Sequence, residues 1–221
     1  MELVLRRLNK MLLWYCQKGL FSIGILAVLV IFGGESVNKN KQILVDVAQV
    51  CPNVLIDLRY ATDNNFTGKR VYQENARCLL LPEVAQALNQ ANAILMQQGY
   101  TLKIWDAFRP LSAQQILWDR VRDERYVANP AKGGRHTRGT AVDCTLVHLD
   151  GSPVVMPTAF DDFTERAHSD YPDLPDEILK NRQLLHDAMR AQGFEPVATE
   201  WWHFDYKNWQ EFPVLDDAGI C

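Results

Sequence analysis

The chain has 221 residues, 48% of them hydrophobic and 23% charged, and a formal net charge of −4. That is enough chain to bury one core, and the composition is that of an ordinary globular protein rather than a disordered or repetitive one. The acidic balance, with no Lys/Arg-rich block carrying interleaved aromatics, excludes a nucleic-acid surface, because phosphate binding needs clustered cations.

Residues 1–19 carry Arg6, Arg7, Lys10 and Lys18 against Glu2, and an uncharged run, "GLFSIGILAVLVIFGG", follows from Gly19 to Gly34. A basic region before a short apolar stretch is the layout of a secretory signal, with Gly34 and Ser36 as the small residues before a cleavage point. The apolar core is shorter than the roughly 20 residues of a membrane span. The segment also suits an uncleaved anchor and, less well, a buried helix, since it has no polar face. Residues 1–36 are therefore expected to be a signal peptide or N-terminal membrane anchor. Residues 37–221 are expected to be the working domain, exported and periplasmic, touching a membrane only through that segment. No Leu-x-x-Cys ends the apolar stretch, which argues against a lipoprotein. Cys51, Cys78, Cys144 and Cys221 follow, an even number in a compartment that permits disulfides, although the sequence does not choose a pairing. Cys144 also reads as a buried thiol, and no C-x-x-C supports a structural zinc or redox site.

"NVLIDLRY" (53–60) reads as a strand and "DNNFTGKRV" (63–71) as turn chemistry. Residues 81–100 form the clearest helix, with Pro82 at the first position, Val84, Leu88, Ala91 and Leu95 at helical spacing, and Gly99 as the stop. A strand over 101–108 ends at Arg109-Pro110, and a second helix is expected over 112–128 with Ser112 as its cap. A Gly-rich loop (129–139), a strand (140–149) and a "DGSP" hairpin turn come next. A third helix over 172–193 stops at Gly193 and leads into the aromatic, strand-like "FEPVATEWWHFDY" (194–206). Loosely alternating helices and strands with hairpin signals at the back predict an α+β fold, a single small domain whose mostly antiparallel sheet is flanked by helices.

Three segments carry chemistry. In "GGRHTRGTAVDCTL", Asp143 sits inside an apolar strand, and a buried carboxylate is costly unless something pairs with it. His136, seven residues earlier, is a metal-ligand candidate if the Gly-rich loop turns the chain at Arg138-Gly139. Alone, the pair reads better as a loop histidine and an aspartate paired with arginine. In "TEWWHFDY", Glu200 and His203 stand three apart, and both can aim inward on a strand with a bend near Trp201-Trp202. A catalytic zinc takes three His/His/carboxylate ligands, which His136, Asp143 and His203 supply, leaving Glu200 as a general base. In "IWDAFRP", Arg109 at a strand end is suited to stabilising an oxyanion or holding a carboxylate. His148, His168 and His186 lack ligand spacing and are expected to be structural.

Taken together, His136-x6-Asp143 and Glu200-x2-His203 with their Gly-rich approach closely resemble the VanX-type zinc D-alanyl-D-alanine dipeptidases, a branch of the zinc peptidases that cut D-amino-acid bonds in bacterial walls. The resemblance runs from about Leu58 to Tyr206 and includes, in family order, "LRYATDNNFTGK", "WDAFRP", "HTRGTAVDCTL", "FDDFTERAH" and "EWWHF". H-x-x-G-x-A-x-D and E-x-W-H belong to the wider family, whereas "YAT-x-NNFTG" and "RHTRGTAVD" are particular to the dipeptidase branch.

The resemblance implies a metal site in a confined cleft, with one Zn2+ per chain bound by His136, Asp143 and His203. It implies Glu200 as catalytic base and Arg109 as the group that polarises the scissile carbonyl and contacts substrate. Tyr60 and Asp161 would line the pocket for D-Ala-D-Ala or a related small peptide, Asp161 meeting its ammonium, and Asp106 would stand behind the arginine. A D,D- or L,D-carboxypeptidase or endopeptidase acting on peptidoglycan is the alternative within the wider family. A non-catalytic wall-binding module is the alternative of another class, and mere metal binding would need neither Glu200 nor Arg109. One position departs from the family. A serine is common two places before the first zinc histidine, and Gly134 stands there, leaving a backbone contact where a hydroxyl is expected.

Overall fold

The computed structural model describes residues 44–215. The expected signal or anchor segment (1–36) and Cys221 lie outside them. Strands β1 (Val45–Asp46) and β3 (Leu79–Leu80) make a small antiparallel pair. The main sheet has the order β2-β4-β5-β7-β6, built from β2 (Leu55–Ile56), β4 (Tyr100–Asp106), β5 (Ala141–His148), β6 (Phe194–Val197) and β7 (Glu200–Tyr206). Its pairings are antiparallel except β2 with β4, which is parallel. The sheet is thus mostly antiparallel, as expected for the α+β class.

The helices are α1 (Val47–Val50), α2 (Pro82–Met96), α3 (Leu111–Val121) and α4 (Asp176–Arg190). Pro82 opens α2, and Val84, Leu88, Ala91 and Leu95 are buried along one face. Helices α2 and α4 pack on each other, α2 on β4, and α4 on β5 and β6. The core they close includes Leu88, Leu95, Ile104, Leu146, Leu185, Trp201 and Phe204. Each such side chain contributes about 1.5–3 kcal/mol when withdrawn from water. On β5, Val142, Cys144 and Leu146 face this core, and the two-residue period of a strand turns Asp143 to the other side.

Three elements differ from expectation, each for a local reason. The strand over 53–60 shrinks to Leu55–Ile56, a half-exposed edge. Its last link is the Asp57 N–H on the Ile104 carbonyl at 2.9 Å, after which the chain winds into a 3-10 turn at Arg59–Ala61. Helix α3 begins at Leu111 with Pro110 as N-cap, so Ser112 lies inside the first turn. It stops at Val121 because Arg122 adopts a left-handed backbone (φ 50°), and residues 124–128 become a wall of the cleft described below. The aromatic strand over 194–206 folds back on itself as the β6–β7 hairpin. Cys51, Cys78 and Cys144 are buried free thiols, and burial pushes the Cys51 thiol up to about 12. Among the described residues no helix is long and apolar enough to cross a membrane.

Candidate active site

Register places the functional groups. Asp106 pairs with Asp143 across β4 and β5, and Asp143 pairs with His203 across β5 and β7, so three side chains line up across three strands. Directly opposed residues share a face and stand within contact range. Two irregularities make this possible. The β4–β5 register slips between Ile104 and Asp106, with Trp105 as the extra residue. On β7, Glu200 pairs with Val197 and Phe204 pairs with Pro196, which leaves Trp201, Trp202 and His203 as an expanded bulge. In a regular strand residues three apart face opposite sides. The bulge lets Glu200 and His203 reach the same cleft, which is the bend expected near Trp201-Trp202.

His136 arrives on a 3-10 turn, His136–Arg138, that ends at Gly139 in the left-handed region (φ 69°). The left-handed conformation favours glycine, and a Cβ there would also press on Leu44 Cδ2 at 2.7 Å. The turn reverses the chain before β5 and cancels the opposed facing that seven extended residues would impose.

Hydrogen bonding fixes which atoms point inward. His136 Nδ1 donates to the Ala107 carbonyl at 2.7 Å, and His203 Nε2 donates to Asp205 Oδ1 at 2.8 Å. The lone pairs left over, His136 Nε2 and His203 Nδ1, face each other at 3.2 Å. Asp143 adds Oδ2 at 3.3 Å from His136 Nε2 and Oδ1 at 3.0 Å from His203 Nδ1, and that Oδ1 is buried with no hydrogen-bond partner. Three buried acceptors turned on one another repel unless a cation lies between them. Tetrahedral ligands about 2.0–2.2 Å from a metal stand at such mutual distances, and carboxylate or carbonyl support for each distal imidazole nitrogen is the usual outer shell. The donor set therefore fits one divalent ion. Electrostatics agree. Burial works against a charge on His203, yet the adjacent Asp143 and Asp205 carboxylates outweigh it and lift the ring to about 10, while burial of Asp143 is outweighed by His136 and His203, which hold its carboxyl well below the usual range. The site attracts positive charge.

Around these ligands lies a cleft of about 200 Å³ lined by, among others, Tyr60, Arg109, Asp161, Glu200 and Trp202. That is below the roughly 300–1,000 Å³ typical of sites for drug-sized molecules. Glu200 is 9% exposed, with Oε2 3.8 Å from His203 Nδ1. Burial, reinforced by Asp143 and Asp161 and opposed by His203 and Arg109, raises its carboxyl to about 8, a range suited to proton transfer near neutrality. Arg109 is clamped by Asp106 Oδ2, which accepts from Nε at 2.9 Å and Nη2 at 2.7 Å. Gln114 Oε1 accepts from Nη1 at 3.1 Å, and the guanidinium lies over the Tyr60 ring. Asp106 is itself held by the Tyr72 hydroxyl at 2.5 Å and the Ala107 N–H at 3.0 Å.

At the other end of the cleft, Asp161 has a left-handed backbone (φ 60°), uncommon for a non-glycine residue. Its Oδ1 accepts from the Tyr60 hydroxyl at 3.0 Å and its Oδ2 from the Phe66 N–H at 3.1 Å. Burial raises this carboxyl to about 7. Gly134 lines the cleft, but its N–H donates to Thr137 Oγ1 at 2.9 Å, so the backbone contact anticipated there is already engaged.

Every catalytic, substrate and metal candidate read from the sequence thus falls in or directly behind one cleft. His186 does not: it is buried on α4, donating to the Trp201 carbonyl at 3.0 Å. Sequence reasoning missed Gln114, which ties Arg109 to the Ala128 carbonyl, and Asp205, which orients His203. Strand parity could have found Asp205, since residues 203 and 205 share a face. It also missed Phe66 and the wall over 124–128, which is joined to Thr199 by that hydroxyl's hydrogen bond to the Arg125 carbonyl at 3.0 Å.

Comparison with known proteins shows the family. The D-ala-D-ala dipeptidase family model matches residues 40–217. The D-alanyl-D-alanine dipeptidase of Escherichia coli is 40% identical over 178 residues, covering 80% of this chain and 92% of that protein. Those of Enterococcus faecalis and Enterococcus faecium are 36% and 34% identical, covering 67% and 75% of this chain and 83% and 95% of theirs. The chain belongs to the D-Ala-D-Ala dipeptidase family of metal-dependent peptidases.

Proposed function

We propose that this protein hydrolyses the D-alanyl-D-alanine dipeptide to two D-alanines, with one zinc ion held by His136, Asp143 and His203. The observation that carries the proposal is the meeting of three buried acceptors, His136 Nε2, His203 Nδ1 and Asp143, beside Glu200 and Arg109 in a cleft of dipeptide size. When bound, the ion supplies Lewis acidity at the scissile carbonyl and acidifies the attacking water. Glu200 takes the proton of that water and later delivers it to the departing amine. Arg109, held rigid by Asp106 and Gln114, faces the carbonyl oxygen as negative charge develops, so little reorganisation is needed at that moment. Asp161, with Tyr60 beside it, binds the substrate's free ammonium and makes the amino terminus part of what is recognised.

The test is hydrolysis of D-Ala-D-Ala beside N-acetylated and longer D-Ala-D-Ala peptides, with metal analysis of the purified protein. Preference for the free dipeptide and about one zinc per chain are expected. Preference for blocked or longer substrates would make it a D,D-carboxypeptidase instead, and active metal-free protein would remove the mechanism. We further propose that residues 1–36 export the enzyme to the periplasm as a cleaved signal or an anchor. The basic start, the short apolar run and a family match that begins at residue 40 support this. Cell fractionation with N-terminal sequencing checks it, and cytoplasmic full-length protein would refute it.

A further inference from the structure

The Asn-Asn-Phe-Thr-Gly stretch at 64–68 is as much a mark of this chain as its metal ligands, yet no atom of Asn65 enters the chemistry above. Its side chain is nevertheless fully employed. Asn65 Oδ1 accepts from the Thr67 N–H at 2.9 Å and the Thr67 hydroxyl at 2.6 Å. Its Nδ2 donates to the Thr62 carbonyl at 2.8 Å, the Lys69 carbonyl at 2.9 Å and, at 3.3 Å, the Arg59 carbonyl. Both lone pairs and both protons of the amide are used. The backbone adds Asn65 N–H to the Asp63 carbonyl at 2.9 Å and Gly68 N–H to the Asn65 carbonyl at 3.0 Å. All these partners lie between residues 59 and 69, so the amide cross-braces the irregular turn over 62–69 and ties it to the 3-10 turn at Arg59–Ala61.

What the brace presents is the next residue. The Phe66 N–H points at Asp161 Oδ2 at 3.1 Å, and the Phe66 ring packs against Phe163 and Tyr60 at 5.3 and 6.3 Å between centroids. Asp161 sits on a connection with left-handed backbone, so its carboxylate takes its aim from these two donors rather than from a strand or helix. We propose that Asn65 is a positioning residue for the amino-group pocket: it shapes the 62–69 turn so that the Phe66 N–H fixes the carboxylate that meets the substrate's ammonium. This rests on the dipeptidase proposal, in which Asp161 has that role. A pre-aimed carboxylate binds without first being ordered, so the contribution appears in substrate affinity rather than in the bond-breaking step.

The experiment uses the full-length, metal-loaded protein with two ligands that differ only in the amino group: D-Ala-D-Ala and N-propionyl-D-alanine, the latter followed as substrate or as competitive inhibitor. Asn65→Asp keeps the shape of the side chain but sets oxygen against three carbonyls, and Asn65→Ala removes the brace. Each should raise KM for D-Ala-D-Ala by about ten- to a hundred-fold, the scale of one hydrogen bond to a charged group. Metal content, kcat and the affinity for N-propionyl-D-alanine should stay within about two-fold. Thr67→Val, which removes one donor to Asn65, should raise the same KM by a smaller factor, and it decides the matter if the Asn65 variants do not fold. Unchanged KM for D-Ala-D-Ala, or equal losses on both ligands, would overturn the proposal. If the wild type itself shows no preference for the ligand with the amino group, the dipeptidase proposal is at fault and not the role of Asn65.

Discussion

At one end of the cleft, Asp143 and His203 stand on strands whose alignment is set by backbone ladders, and Asp106 extends the same row. At the other, Asp161, Tyr60 and Phe66 come from a strained connection and two turns, and they are held by side chains bonding to side chains and to irregular backbone. A ladder shares its strain among many hydrogen bonds, so a substitution at the metal end should remove chemistry and leave geometry. A web of single polar contacts has no such redundancy, so a substitution at the amino end should degrade geometry and hence affinity.

The largest effect expected at the metal end is that of Glu200→Gln, which should lower kcat by about 10²- to 10⁴-fold, the range for loss of a general base. Metal content should be unchanged, because Glu200 lies outside the three converging ligands. Elemental analysis beside steady-state kinetics makes the test. Loss of metal with activity would dissolve the distinction between base and ligand and weaken the contrast between the two ends.

Asp205→Ala probes the support behind the ladder. Without the 2.8 Å hydrogen bond to Nε2, His203 loses the partner that fixes its tautomer, and Arg135, 3.0 Å from Asp205 Oδ2, loses its anion. Metal affinity should fall about 10- to 100-fold, measured by competition with a chelator, and activity should return when metal is in excess. Undiminished affinity would mean that strand register alone is enough to aim the imidazole.

The amino end should titrate too, and there the titration should appear in substrate affinity. Burial lifts Asp161 to about 7, whereas Asp143 remains ionised far below that. The sign follows: below pH 7 Asp161 takes a proton, loses its charge and binds an ammonium less well. KM for D-Ala-D-Ala should therefore rise as pH falls through 7, by up to about ten-fold per unit, the limit set by one titrating group. Asp161→Asn should have a high KM with that dependence flattened, and a pH profile of KM for both proteins is the check.

The same contrast explains what could be read from the sequence. The metal end announces itself through residue type and spacing: an aspartate in an apolar strand, a histidine beside glycines, and Glu200 three residues from His203. Even the bend at Trp201-Trp202 follows from asking both side chains to face one way. Helix α2 and strands β4 and β5 are legible for the same reason, since periodicity and their Pro and Gly boundaries agree. The stop of α3 at Val121 was not legible, because Arg122 takes a left-handed conformation that its residue type does not favour. The hairpin turn between β6 and β7 lacks a Gly or Asn to mark it. Asp161 and Gln114 act through partners 101 and 14 residues away, Tyr60 and Ala128, and separations of that kind leave no periodic trace.

Gly134 lies along the same cleft, between the two kinds of construction, and carries the smallest expected effect. A Cβ at this position would stand 3.1 Å from Ala128 Cβ, close enough that the 124–128 wall must give by a few tenths of an ångström. That wall is irregular and its residues are largely exposed or half-buried, so it can move. Gly134→Ser should therefore cost less than about 1 kcal/mol of stability, below the usual range for overpacking a rigid core. Because the Gly134 N–H is taken by Thr137, a serine hydroxyl would be the first donor at this position free to reach a bound substrate. One added neutral hydrogen bond is worth about 0.5–1.5 kcal/mol, which corresponds to a two- to ten-fold fall in KM with kcat unchanged. Thermal melts and steady-state kinetics of the variant decide it. An unchanged KM would mean that bound substrate lies beyond the reach of residue 134, and that its affinity is set by the turn-built end of the cleft.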